Sequence, residues 1–150
     1  MRKASLRAVL WGAMLFGAAL SCQAQEMVSI ARATVNMRAS PGMDSAVRWE
    51  LSRHYPLKVL QRQGSWLKVR DFEGDVGWVA TRLTSRMPML IVKADRANIR
   101  SGPGTRYRIM AQAQYGDLLK TKERRGRWVN VTLPHNRKSG WVARALVWGW

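Results

Sequence analysis

Apolar residues along this 150-residue chain rarely recur at helical spacing. They come in short runs, broken every several residues by Gly, Pro, Asn or Asp, and that pattern predicts an all-β fold. Trp66-Leu67-Lys68-Val69-Arg70 alternates bulky and polar residues, and so does Trp128-Val129-Asn130-Val131-Thr132. Alternation marks a strand with one buried face. Further extended segments are expected over Val28 to Met37, at Leu57-Lys58-Val59-Leu60, at Leu90-Ile91-Val92 and at Leu119-Lys120-Thr121-Lys122. Pro41-Gly42 and Pro103-Gly104 read as type II turns, in which proline presets the second corner and glycine supplies a positive φ at the third. Gln61 to Gly64 and Glu123 to Gly126 read as hairpins. Gly77-Trp78-Val79 and Gly140-Trp141-Val142 follow further turns, the second longer than the first.

These segments are the same unit written twice. Asn36-Met37-Arg38-Ala39-Ser40-Pro41-Gly42 returns 62 residues later as Asn98-Ile99-Arg100-Ser101-Gly102-Pro103-Gly104. Gly64-Ser65-Trp66 returns after 62 residues as Gly126-Arg127-Trp128, and Gly77-Trp78-Val79-Ala80 after 63 as Gly140-Trp141-Val142-Ala143. A repeat fixes the folding unit, here about sixty residues. Five or so short strands in such a unit make a small barrel, whose closure hides the sheet edges. A unit of that size buries only roughly 60% of its unfolded surface, so each copy is expected to be marginal alone.

The first residues read differently. Arg2, Lys3 and Arg7 precede an unbroken apolar run from Ala8 to Leu20, followed by Ser21-Cys22-Gln23-Ala24. This is the three-part pattern of a cleavable signal peptide. The run is short of the roughly 20 apolar residues that a membrane span needs. Residues 1–24 are thus expected to be a signal helix, 25–86 the first domain and 87–150 the second. Cys22 is the only cysteine, and cleavage after Ala24 removes it. No disulfide or thiolate metal site is then expected. Lipid attachment at Cys22 is the second choice, because the leucine of Ala19-Leu20-Ser21-Cys22 sits one place late for a lipobox. The expected location is periplasmic or secreted. The formal charge is +17, or +14 without the three basic leader residues. Such a balance draws a protein to anionic surfaces. Export demotes nucleic acid among them, and leaves wall polymers, lipopolysaccharide, lipid headgroups and acidic proteins.

The landmarks Asn-x-Arg-x-x-Pro-Gly, Gly-x-Trp and Gly-Trp-Val, in this order and spacing, resemble the bacterial SH3 domain (SH3b) in both copies. The resemblance implies two tandem SH3-like β-barrels. It also implies an extracytoplasmic binding module, in many members directed at peptidoglycan or its peptide cross-links.

Several side chains carry two readings. Trp66 and Trp128 open a central strand and are expected to fill the core. Trp78 and Trp141 are core residues or, alternatively, an aromatic floor for a peptide or sugar, since indole offers a flat apolar face and one donor. Asn36 with Arg38, and Asn98 with Arg100, share one side of a strand. There the arginines either cover a turn or offer a fork to a ligand carboxylate. Arg106, Tyr107 and Arg108 follow the Pro103-Gly104 turn and are candidate ligand contacts, with Ala46 as the expected counterpart of Tyr107. Tyr115 and Tyr55 are weaker candidates. Arg124, Arg125 and Arg127 make a basic hairpin tip, either solvated or in contact with a polyanion. Trp49, Trp148 and Trp150 are candidates for an apolar strip.

His54 and His135 lie at different places in the repeat, so no metal site is expected. No cofactor is expected either. No nucleophile elbow or paired-carboxylate motif appears, which argues against an enzyme. The function expected is an exported, non-catalytic binding module of the cell envelope that recognises peptidoglycan or its acidic stem peptides. The alternatives are an adaptor for another envelope protein, or a general polyanion binder. Oligomeric state is not legible.

Overall fold

A computed structural model describes residues 25–133 and 137–150. The expected signal helix, Cys22 and His135 lie outside these residues. The described chain is all-β. The first copy contains β1 (Met27–Ile30), β2 (Thr34–Arg38), β3 (Val47–Ser52), β4 (Pro56–Gln63), β5 (Trp66–Arg70), β6 (Val76–Ala80), a 3-10 turn (Thr81–Leu83) and β7 (Thr84–Ser85). The second contains β8 (Met89–Val92), β9 (Arg96–Arg100), β10 (Ile109–Gln114), β11 (Leu118–Arg125), β12 (Trp128–Thr132), β13 (Ser139–Ala143), a 3-10 turn (Arg144–Leu146) and β14 (Val147–Gly149).

The two sheets have one topology. Their strand orders are β3-β2-β6-β5-β4-β1-β7 and β10-β9-β13-β12-β11-β8-β14, with antiparallel pairing. Each copy therefore has seven strands where about five were expected. The stretch from Val28 to Met37 is two strands, separated by a bend at residues 31–33. The outermost strands β3 and β10 escaped the sequence reading, because Leu51 and Ala113 are the only buried residues in them.

The cores correspond position by position. Val28, Ile30, Val35, Met37, Leu51, Leu57, Leu67, Val69 and Val79 fill copy one. Leu90, Val92, Ala97, Ile99, Ala113, Leu119, Val129, Val131 and Val142 occupy the equivalent places in copy two, joined by Leu133 and Val147. Each fully buried Val, Leu, Ile or Met side chain among them contributes about 1.5–3 kcal/mol.

Trp66 and Trp128 are not core residues, contrary to expectation. Both are half-buried and outside the two core clusters. The strand period decides this. Leu67 and Val69 point inward, so Trp66 shares the other face with Lys68 and Arg70. Val129 and Val131 do the same to Trp128.

Turn chemistry differs between the copies. Gly64 and Gly126, with φ of 55° and 57°, each open a two-residue hairpin turn closed by the pairs Gln63–Trp66 and Arg125–Trp128. Gly42 has the expected positive φ of 127°, whereas Gly104 is not among the positive-φ residues. His54, at φ 73°, holds the left-handed turn position that Gly116 holds in copy two.

The copies pack together. In β8, Leu90 and Val92 enter the core of copy two, while Met89 and Ile91 point to the opposite face and are equally buried. Strand β4 of copy one lies against β8 and β14. Phe72 of copy one stacks at a tilt between Tyr55 and Tyr115, with ring centroids 6.1 and 5.4 Å apart. The Tyr115 hydroxyl donates to Glu73. In copy one the corresponding outer face, at Ser29, is covered by the linker, through Ser85 Oγ at 2.9 Å and the Met87 carbonyl at 3.0 Å.

One close approach joins the β2–β3 hairpin to the β4–β5–β6 meander. Strand β6 meets β2 at the pair Arg38–Trp78, and β13 meets β9 at Arg100–Trp141. A Cβ on Gly140 would stand 2.8 Å from the Arg100 carbonyl oxygen and 2.6 Å from Ile99 Cγ2. On Gly77 it would stand 2.9 Å from the Arg38 carbonyl and 2.5 Å from Met37 Cγ. Backbone cannot yield there without parting the strands. Gly140→Ala is therefore expected to cost about 1–3 kcal/mol, the usual range for overpacking. Urea unfolding measures this loss, and an unchanged midpoint would show that the strands part freely.

Candidate functional site

Each copy has a groove at the same place, between the loop after its second strand and the start of its fifth. In copy two, Gly104, Thr105, Gly126, Arg127, Trp128, Ala143, Arg144 and Ala145 line a hollow of about 700 Å³. In copy one, a hollow of about 300 Å³ is lined by residues that include Met43, Trp66, Ala80, Leu83 and Arg38. The half-buried tryptophan that opens β5 or β12 is thus part of the groove lining. A further hollow of about 720 Å³ lies beside Glu26 and Lys58–Arg62, where Glu26 and Arg62 already form an ion pair.

The loop beside the groove is braced by the arginine of the Asn-x-Arg motif. Arg38 donates from Nη1 to the Ser45 carbonyl at 2.7 Å. Arg100 donates from Nη1 to the carbonyls of Thr105 at 2.9 Å and Tyr107 at 2.8 Å. These arginines hold their own loops, so the turn-covering reading fits them better than the ligand fork. Arg38 also reaches the rim of the copy-one groove.

Tyr107 corresponds to Ser45 and not to Ala46, since both supply the carbonyl that their arginine binds. The two loops are built differently. A Cβ on Gly102 would lie 2.5 Å from the Tyr107 ring, so the ring packs directly on that glycine. Copy one has Ser40 and Ser45 at the same places, joined through their hydroxyls at 2.9 Å. Tyr107 supports the loop and is not among the groove-lining residues. The Arg106 guanidinium lies over its ring at 5.2 Å and donates to its hydroxyl at 3.3 Å. Arg108 is exposed.

Trp78 and Trp141 are buried, at 8% and 7% exposure, and offer no aromatic floor. Their strands bury both faces, with Val79 and Val142 toward the core and the indoles on the other side. The Arg125 guanidinium lies 5.0 Å from the Trp141 ring centroid and pairs with Glu123 at 3.4 Å. Tyr115 serves the contact between copies, where its bond to Glu73 raises its pKa. Burial, then the Asp71 charge, raises that of Tyr55. Trp49 is exposed on β3, whereas Trp148 and Trp150 are half-buried along β8.

Asp71, Glu73 and Asp75 bring their carboxylates within 4.8 Å of one another. Asp71 Oδ1 accepts the backbone N–H groups of Glu73, Gly74 and Asp75 at 3.0, 2.9 and 2.8 Å. Its role is to close that turn. Burial nonetheless raises the Asp71 pKa against the effect of those bonds.

Arg144 went unnoticed in the sequence. It follows Gly140-Trp141-Val142-Ala143 directly, and its N–H donates to the Arg127 carbonyl at 2.9 Å. That bond holds the start of the 3-10 turn against the hairpin tip, and places both arginines at the groove. Burial, and then the Arg144 charge, lower the pKa of neighbouring Arg124.

Gly102→Ala is expected to destabilise the protein by about 1 kcal/mol, and to cost almost nothing in a Tyr107→Ala background. A double-mutant cycle by thermal unfolding reads this coupling. Additive losses would mean that the ring does not rest on Gly102.

Two family profiles agree with this architecture. The bacterial SH3 domain profile matches residues 31–86, and a second bacterial SH3 profile matches residues 95–147. The candidate N-acetylmuramoyl-L-alanine amidase YrvJ of Bacillus subtilis (strain 168) is 22% identical over 135 residues. That match covers 83% of this chain, which spans only 26% of the amidase. Among solved structures, NlpC2 and NlpC1 of Trichomonas vaginalis align over 87% and 91% of this chain and 50% of each of theirs, with 13% and 15% identity and TM-scores of 0.39. An NlpC/P60 family protein of Bacillus cereus ATCC 10987 aligns over 82% of this chain and 56% of its own, with 13% identity and a TM-score of 0.38. Repeat, topology and profile matches agree that this chain belongs to the bacterial SH3 domain family and carries two such domains in tandem.

Proposed function

We infer that this protein is an exported, non-catalytic binding module of the cell envelope that recognises peptidoglycan through its stem peptides. The observation that carries the reading is the groove bordered by Trp66 or Trp128, repeated at one place in both copies. A half-exposed indole beside a braced loop gives an extended ligand an apolar face and one hydrogen-bond donor. Membership of a family of wall-binding modules supports the ligand class. So does similarity to a protein named for cleavage at N-acetylmuramoyl-L-alanine. The excess of Lys and Arg, 26 against 9 Asp and Glu, supports an acidic ligand by raising its rate of encounter.

The proposed organisation is a signal peptide over 1–24 and domains over 25–86 and 87–150. Among the described residues, no helix is long and apolar enough to cross a membrane. An envelope-protein partner is the second reading, favoured by the exposed Val47 and Trp49 on outer strand β3.

Cosedimentation of the purified protein with peptidoglycan sacculi tests the main reading. Retention is expected to survive about 0.3 M salt, where exposed charges are strongly screened. It is expected to fall at least tenfold in the Trp66→Ala/Trp128→Ala double variant. Both tryptophans lie outside the cores, so the variant should fold, which circular dichroism checks. A wild type that stays in the supernatant, or a double variant retained equally well, would contradict the reading.

A further inference from the structure

The two grooves share a position but not a chemistry. Copy two, residues 87–150, carries thirteen Lys and Arg against three Asp and Glu, while copy one, residues 25–86, carries ten against six. The difference reaches the groove itself. Arg127 and Arg144 line it in copy two, where the repeat places Ser65 and Thr81 in copy one. Arg124 adjoins Arg144 closely enough to feel its charge. Among the described residues, none of these three arginines forms an ion pair with an acidic group. The rest of the lining is small or flat: Gly104, Gly126, Ala143, Ala145 and the Trp128 indole.

Like charges held together without a counter-ion repel one another, and a bound anion relieves that repulsion. Guanidinium is the side chain suited to this, because its planar fork matches a carboxylate or phosphate bidentately. The small residues leave open the face of Trp128, against which an apolar body attached to the anion can lie. Copy one has Met43, Leu83 and Trp66 at its groove, with the loop-bracing Arg38 at the rim, and lacks the two arginines, so it carries less positive charge.

We propose that the copy-two groove is an oxyanion subsite, in which Arg127 and Arg144 clamp a carboxylate of the wall stem peptide while Trp128 supports the small apolar group beside it. Arg124 adds its charge from the adjoining strand. The stem peptide as source rests on the function inferred above. The oxyanion clamp does not, since a phosphorylated sugar presents the same chemistry.

Calorimetric titration of the purified protein with three probes tests the subsite. The probes are a soluble disaccharide-peptide wall fragment with free carboxylates, the same fragment with its carboxylates amidated, and glucosamine 1-phosphate. The acidic fragment is expected to bind at least tenfold more tightly than the amidated one. Arg127→Gln/Arg144→Gln is expected to weaken it at least tenfold, and exposed Arg96→Gln less than twofold. Should glucosamine 1-phosphate bind instead, with the same loss in the double variant, the oxyanion subsite stands and its ligand is a phosphorylated glycan. Equal binding of the acidic and amidated fragments, unchanged binding by the double variant, or binding of neither anion would overturn the proposal. Wild-type retention on sacculi is measured alongside. Retention with a silent clamp defeats the subsite alone, and a working clamp without retention defeats the wall reading alone.

Discussion

Everything at the groove hangs on how closely the last long strand of each copy crosses the second. At Gly77 and Gly140 the backbone of one strand lies against the carbonyl of the other, with no room for a Cβ. That approach lets a single residue pair join hairpin and meander. It also fixes the arginine of the Asn-x-Arg motif at the joint, where it reaches along its loop to bind carbonyls seven residues away. The next residue, Trp78 or Trp141, is buried on the opposite face. Strand crossing and loop brace thus meet at one packing constraint.

The copies keep this frame and differ in what they hang on it. Substitutions between them come in matched sets. Ser40 and Ser45 bond to each other where Gly102 receives the Tyr107 ring, so either pair closes the loop by different chemistry. Ser65 and Thr81 give way to Arg127 and Arg144, which come together because the N–H of one donates to the carbonyl of the other. Packing between β4 and β8, with the Tyr55–Phe72–Tyr115 contact, ties two small units into a larger one. That matters because units of roughly sixty residues bury too little surface to be robust alone.

Much of the frame was legible because the repeat puts the same signals in register twice. Apolar alternation located β5 and β12, and the inward places of Met37 and Ile99 followed from strand period. Trp66 and Trp128 were expected in the core and lie outside it, for a physical reason. Alternation defines two faces and does not say which is buried when the strand begins with an indole. Lys68 and Arg70, on the same face as Trp66, held the answer, because two charged residues at period two rarely face a core. Trp78 was harder, since β6 buries both faces and so lacks alternation altogether. Arg144 left no local signal. Its place at the groove comes from a backbone bond to a residue seventeen positions earlier.

The central claim is that ligand meets the protein at Trp66 and Trp128, and that Trp78 and Trp141 are structural. Hydroxyl-radical footprinting with and without peptidoglycan sacculi reads each indole separately. The account predicts that Trp66 and Trp128 lose at least half of their oxidation when sacculi are bound, while Trp78 and Trp141 are oxidised slowly in both conditions. Protection of neither Trp66 nor Trp128 in protein that remains bound to the wall would contradict it.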